Sequence, residues 1–310
     1  MIDTISWLVS ELFHGYVNIF IALSDPGAWL SWVVPSLNGT DLTPDQKQAL
    51  ARFVFYGGST EFLFTVFDLF LTITIIGIFA RRFLWSVVIV LEFLANWTGR
   101  IFAWAGLVMV IQQLMIVFLQ RIFAKSEFSL SPFGIAITHD ISWWAEGLKF
   151  YNALIVALCC AYTFVQRGHV RVDLIYAGVR FRVKRVIDMF GSLFFMIPAM
   201  SLIWMFAWFF MWRHLVTPKI SATDKFELLM RKSRLLKWNV ETIGFSPNGF
   251  DGYFLFKILL VSFAGIMFVQ AWAFFFRSWL EYREGEKSAD KFHDSDGVGD
   301  DPADLAVAPH

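Results

Sequence analysis

Six histidines, His14, His139, His169, His214, His293 and His310, are the side chains of this sequence best suited to acid–base, metal or haem chemistry. None lies in the middle of a long apolar run, whereas a haem gripped between membrane helices needs axial ligands at matched depth inside the bundle. No HExxH, GxSxG or phosphate-binding glycine loop is present, so no acid, base or nucleophile has a partner at the required spacing. The two cysteines, Cys159 and Cys160, are adjacent within an apolar segment, which suits neither a disulfide framework nor a metal-ligand pattern. They read as buried packing residues. The expectation is therefore a protein with no catalytic residue, no cofactor and no metal.

The elements that would have to position any site are membrane helices. Apolar residues make up 57% of the 310, aromatic residues 18% and charged residues only 17%, beyond the range of an ordinary soluble domain. The formal net charge is zero and the basic residues gather at the ends of apolar runs, which argues against a nucleic-acid partner and for membrane lipids. A hydrocarbon core of about 30 Å needs about 20 apolar helical residues. Four segments meet that length, approximately 101–123, 147–166, 186–212 and 258–276. A fifth, 62–80, is broken only by Asp68, whose lone carboxylate would cost about 2.5–3.5 kcal/mol on insertion scales unless it faces protein.

Residues 83–97 follow the fifth segment after only Arg81 and Arg82, too few to reverse a helix, and carry Trp85, Trp97, Glu92 and Asn96; an interfacial arm is expected. Residues 7–23 are interrupted by Glu11, His14 and Asn18 and stopped by Asp25-Pro26-Gly27, which fits a half-inserted or surface-lying helix. The chain divides into a 1–60 extension, a 61–97 extra span plus arm, a 98–282 four-helix core, and a 283–310 tail, whose composition predicts disorder from Glu281 onward. The fold class expected is all-α: a polytopic bundle of four core spans, about one extra N-terminal span and interfacial arm helices.

Orientation follows from charge. The first basic residue is Lys47, so no cleavable signal is expected, and Asp3, Glu11, Asp25, Asp41 and Asp45 stand unopposed before it. The positive-inside rule then places the N-terminus outside, and the turn holding Arg167, Arg171, Arg180, Arg182, Lys184 and Arg185 in the cytoplasm. Residues 213–251 are external under this parity despite seven basic residues, and 225–238 reads as an external amphipathic surface helix.

Trp144-Ala145-Glu146 opens a span that ends in Arg167-Gly168-His169-Val170-Arg171-Val172-Asp173. This pattern resembles the small membrane subunit of TRAP (tripartite ATP-independent periplasmic) transporters, the DctQ-like family, in which a tryptophan and a glutamate start the second core helix and a basic HxRVD turn closes it. Glu241, Ser246-Pro247-Asn248-Gly249-Phe250 and Lys257 resemble the entry to the family's fourth helix. The likeness covers roughly residues 98–282. It departs at Gly147, where the family often has a second acid, and at Cys159-Cys160, where it has a glycine. The resemblance implies a multi-pass protein of the bacterial inner membrane that scaffolds a large TRAP membrane subunit, for ion-coupled uptake of an organic acid delivered by a periplasmic solute-binding protein. It implies subunit-contact or structural roles for Trp144, Glu146, Arg167, His169, Arg171, Asp173, Glu241 and Lys257, the last expected to snorkel. An independent carrier or a membrane assembly factor is the alternative. Against a carrier, intramembrane polar groups are few: Asp68, Asn152 and the Gln112-Gln113 pair, with Pro198 as the one helix-bending proline.

Overall fold

The structure is a computed structural model that describes residues 2–130, 137–166, 178–244, 247, 249–289 and 291–292. It is mostly helical, with five helical segments long and apolar enough to cross a membrane.

The N-terminal region contains α1 (Ile2–Ser24), two short helices α2 (Gly27–Leu30) and α3 (Val33–Leu37), and α4 (Pro44–Gly57). α1 stops ahead of Asp25-Pro26-Gly27, and the chain bends by 83° there, because the proline removes a backbone donor and the residue before it is steered out of the helical region. α4 opens with a capping box: Gln46 N–H donates to Thr43 Oγ1 while Thr43 N–H donates to Gln46 Oε1, with Pro44 in the first turn.

Five spans follow. α5 (Thr60–Phe79) is capped by Ser59, whose Oγ accepts from Phe62 N–H. α6 runs from Arg81 to Arg121, 41 residues without a break. α7 is Ile141–Val165. The next span, Phe181–Leu215, contains α8 (Phe181–Gly191), a π-helical turn (Ser192–Met196) and α9 (Ile197–Leu215). Pro198 accounts for that turn, since it cannot donate to the carbonyl of residue 194 and its ring crowds that carbonyl, so the preceding turn widens. α10 (Phe226–Ser233) precedes the last span, α11 (Tyr253–Glu284). Two short antiparallel pairs interrupt the expected all-helical pattern: β1 (Glu127–Leu130) with β2 (Ile137–Asp140), and β3 (Val216–Thr217) with β4 (Lys237–Trp238).

Contacts fix the packing order. α6 and α7 are antiparallel, with Gly99 against Tyr162 and Gln112 bonded to Trp144; α9 and α11 are antiparallel, with Gly265 beside Trp204. One end of the bundle, here the head, gathers the starts of α5, α7 and α11, and the other, the foot, gathers their ends. α11 is the central element: 44% of its most apolar stretch is buried inside the protein, against 6% for α6.

The head is sealed by α4 lying across α9. Trp204 and Trp208 donate their indole N–H groups to the carbonyls of Gly57 and Val54, each at 2.9 Å, and Leu50, Ala51 and Val54 pack on Trp208, Met211, Trp212 and Leu229. A side chain at Gly57 or Gly58 would collide with the rings of Trp208 or Phe209. At the foot, Phe70, Leu84, Trp85, Trp272, Phe276 and Leu280 form a second core, in which Phe70 and Trp272 stack at 4.9 Å.

Five expectations need correction. The 83–97 segment is not a separate element: it belongs to α6, and the 97/98 boundary falls inside that helix. Residues 81–82 do not forbid a change of direction either, because Ala80 alone leaves helical geometry (φ −113°, ψ 80°). Ile78 lies beside Arg283 and Trp85 beside Glu284, and Glu92 then meets Arg277 as α6 climbs back along α11. Gly77 permits this, since a Cβ there would strike Leu84. The helix expected at 225–238 is only eight residues, α10, and its buried face, Leu229 and Ser233, turns to protein rather than outward. The ordered chain also continues past Glu281: α11 reaches Glu284 and a 3-10 turn follows at Glu286–Ser288, because Glu281 is fully buried among arginines. Cys159 and Cys160 are half-buried rather than buried, and the Cys159 thiol donates to the Gly99 carbonyl at 3.4 Å.

The Gly99–Cys159 crossing yields a direct test. Gly99→Leu would push Tyr162 away and separate α6 from α7, an overpacking cost of about 1–3 kcal/mol. The expected outcome is a lower melting temperature in detergent, read by loss of the monodisperse chromatographic peak after heating, with Gly106→Ala, whose Cβ meets only Ile155 at 3.6 Å, close to wild type.

Candidate functional site

Two clusters of polar side chains stand out in the described bundle, one at each end. At the head, α7 brings Trp144 and Glu146 to the entry loop of α11. Glu146 Oε2 accepts from the Phe250 N–H at 3.0 Å, and the Trp144 carbonyl accepts from Gln112 Nε2 at 2.7 Å. Trp143 completes the corner, stacked on His139 at 4.2 Å and donating to Asp251 Oδ1 at 3.3 Å. Gly147 is buried beneath Phe250 and Gln112, each 3.8 Å from where a Cβ would stand, so an acid at this position would face an aromatic ring.

Glu241 and Lys257 meet in a second head cluster around His214. Lys219 Nζ donates to both oxygens of Glu241 at 3.1 and 3.2 Å, and His214 Nε2 lies 3.6 Å from Glu241 Oε2. His214 Nδ1 is 3.1 Å from the Phe210 carbonyl and Nε2 is in hydrogen-bond contact with Lys257 Nζ, which assigns the proton to Nδ1 and leaves Nε2 to accept. Lys257 does not snorkel. It is 3% exposed, and its ammonium sits over the rings of Phe210 at 4.0 Å and Tyr253 at 4.5 Å, because the aromatic faces and the imidazole offer contacts that an extended conformer would forgo. The hydrogen bond from the Lys219 ammonium, with its charge and that of Lys257, holds the Glu241 carboxyl below the usual carboxylate range.

Arg167, His169, Arg171 and Asp173 lie outside the described residues. Near them in sequence, the foot carries a network that the sequence reading missed. Arg277 on α11 makes a two-pronged bridge to Glu92 on α6, donating through Nε and a terminal nitrogen. The same guanidinium lies 3.5 Å from Glu281 and donates to the Lys291 carbonyl at 3.2 Å. Glu281 is reached in turn by Arg185 Nε at 2.7 Å, and Arg185 binds Asp188 at 3.0 Å. Three helices, α6, α8 and α11, are thereby joined through five buried charged side chains. Trp85 donates to Glu284 Oε1 at 3.0 Å on the rim.

No family model matches this chain, nor does any curated protein or solved structure. What the arrangement can do must therefore be read from its chemistry. Among the described residues no three His, Cys, Asp or Glu side chains converge as a metal site would require. The charged groups of the foot network are paired with one another, and at the head Glu146, Glu241, Lys219 and Lys257 each have a polar partner. Local spacing held part of the foot signal: Arg185 with Asp188 and Arg277 with Glu281 stand three and four apart, the separations that meet on one helical face.

Two outcomes follow. Arg277→Met leaves Glu92 buried without its cation and should cost about 3–5 kcal/mol, whereas Glu92→Leu/Arg277→Met, which removes both charges, should recover most of that loss in the same detergent melt. At the head, a carboxylate with a depressed pKa contributes stability above its unfolded value of about 4.3 and loses it as the pH falls through the folded value. The melting-temperature difference between wild type and Lys219→Ala should stay level from neutral pH down to that range and shrink below it.

Proposed function

We propose that the chain is the small membrane subunit of a TRAP-type secondary transporter, a fixed frame for a larger subunit that moves an organic acid with coupling ions after delivery by a periplasmic solute-binding protein. The observation that carries this reading is the pairing of Trp144-Ala145-Glu146 at the start of one span with Arg167-Gly168-His169-Val170-Arg171-Val172-Asp173 at its close.

Three features support it. Head and foot each carry paired polar groups that tie helices together, which suits a frame that must resist sliding. Mid-depth polarity is sparse, so the described residues offer little to a solute. α6 also presents a long apolar face, including Trp104, Leu107, Ile111, Leu114 and Phe118, that is exposed among the described residues; a partner helix or lipid would occupy it. With the foot cytoplasmic, as its arginines and the positive-inside rule favour, Glu146 and the His214 cluster face the outside and the periplasm of a bacterial inner membrane.

An independent carrier is the second reading, favoured only by the buried carboxylate of Asp68. Affinity purification in mild detergent separates the two. The expected result is stoichiometric co-elution of a much larger polytopic protein. A chain that elutes alone and supports solute uptake after reconstitution would overturn the scaffold reading.

A further inference from the structure

Asp68 stands near the middle of α5 and is fully buried, and neither carboxyl oxygen has a hydrogen-bond partner. It is treated unlike the other buried acids, Glu92, Asp188 and Glu281, each of which meets an arginine. What covers it is α1. Gly15 is the only buried residue among the described side chains of that helix, and a Cβ at Gly15 would run into the Asp68 carboxyl group and come within 3.4 Å of the Phe64 backbone. One turn further along α5 the contact is latched: the Tyr16 hydroxyl bonds Thr72 Oγ1 at 2.8 Å and donates to the Asp68 carbonyl at 3.4 Å.

The space over the carboxyl group is filled by a glycine, leaving no room for a metal ion or for the head of a lysine or arginine. No cation is bonded to it: α1 carries Glu11, His14 and Tyr16 around Gly15, and none of them bonds the carboxyl oxygens. An ionised carboxylate in such a place has lost its water and gained nothing, whereas the neutral acid gives up only hydrogen bonds. α1 packs chiefly on α5, exposes Phe13, Phe20 and Leu23, and joins the rest of the chain through the Asp25-Pro26-Gly27 bend.

From this geometry we propose that Asp68 is a proton-binding site within the membrane, kept as the neutral acid under α1 and able to exchange its proton with water only when α1 lifts from α5. The site goes beyond the scaffold reading and stands independently of it, because both helices lie outside the 98–282 core.

Carbodiimides test this directly. The acid O–H adds across one C=N bond: the carboxyl oxygen bonds to the central carbon and the proton passes to nitrogen, with nothing leaving. An ionised carboxylate lacks that proton. In membranes from producing cells at about pH 8, well above an ordinary carboxyl pKa, dicyclohexylcarbodiimide should label Asp68, as read by peptide mass spectrometry. At about pH 5, where exposed carboxyls are partly protonated, a water-soluble carbodiimide should label exposed Glu61 but leave Asp68 untouched, and Asp68→Asn should lose the dicyclohexylcarbodiimide label. Gly15→Leu, which wedges α1 outward, should make Asp68 reactive toward the water-soluble reagent as well at that lower pH. Wild-type Asp68 that ignores the hydrophobic reagent, or that reacts equally with the water-soluble one, would overturn the proposal; so would a stably produced Gly15→Leu variant whose Asp68 remains closed to water. Should that variant fail to accumulate, the two reagents on the wild type decide alone.

Discussion

A hydrocarbon interior offers no hydrogen-bond partner, and the bundle is arranged around that lack. Backbone groups close on themselves in helices, and charged side chains must either reach the ends or find one another. At the foot they find one another. Arg277 is satisfied by both oxygens of Glu92, by Glu281 and by the Lys291 carbonyl, so one guanidinium fixes the rotation of α11 against α6 and the position of the chain beyond Glu284. Arg185 extends the same network to α8. A neutral, well-packed substitute could equal the stability of such a network; what the network adds is directional geometry, since guanidinium and carboxylate meet in a planar fork that tolerates little rotation.

The head solves the same problem with aromatic surface. α4, α9 and α10 share a core of tryptophans and leucines, and the indole N–H groups of Trp204 and Trp208 spend their polarity on the last carbonyls of α4, which have no intrahelical partner. Lys257 is held here by two ring faces and an imidazole. Anchoring by rings and anchoring by ion pairs thus sit at opposite ends of α11, which explains why that helix alone is deeply enclosed.

The existence of the five spans was legible because their length and apolarity are local properties. The position of Glu241 before the last helix was read only as a resemblance, and the attachment of Glu146 to that helix's entry was not read at all. The foot network was not legible. Glu92 and Arg277 are 185 residues apart, and in sequence Glu92 looks like part of a polar face on an interfacial helix. The continuity of α6 escaped for a related reason: a polar residue inside a span reads as an end until its partner is known. Lys257 was misjudged because snorkelling assumes lipid around the stem, whereas this stem is surrounded by Phe210 and Tyr253. The turn from Arg167 to Asp173, most informative in the sequence, lies outside the described residues and gains no geometry.

Asp68 and Glu92 pose one question and receive opposite answers. Both are single acids in otherwise apolar stretches. Glu92 faces the central helix, where an arginine at the matching height can be held by packing on several sides. Asp68 faces a peripheral helix whose outer surface is bare, and a long cation placed there would have no protein around its stem to hold it. Under such a helix the smallest cover is the most effective one, and glycine lets the backbone itself close over the carboxyl group. Detaching α1 would uncover Asp68 and break the Tyr16 hydroxyl bonds and the Trp7–Phe64 ring contact. The carboxyl group at the edge of the bundle thus depends for its contact with water on a single helix.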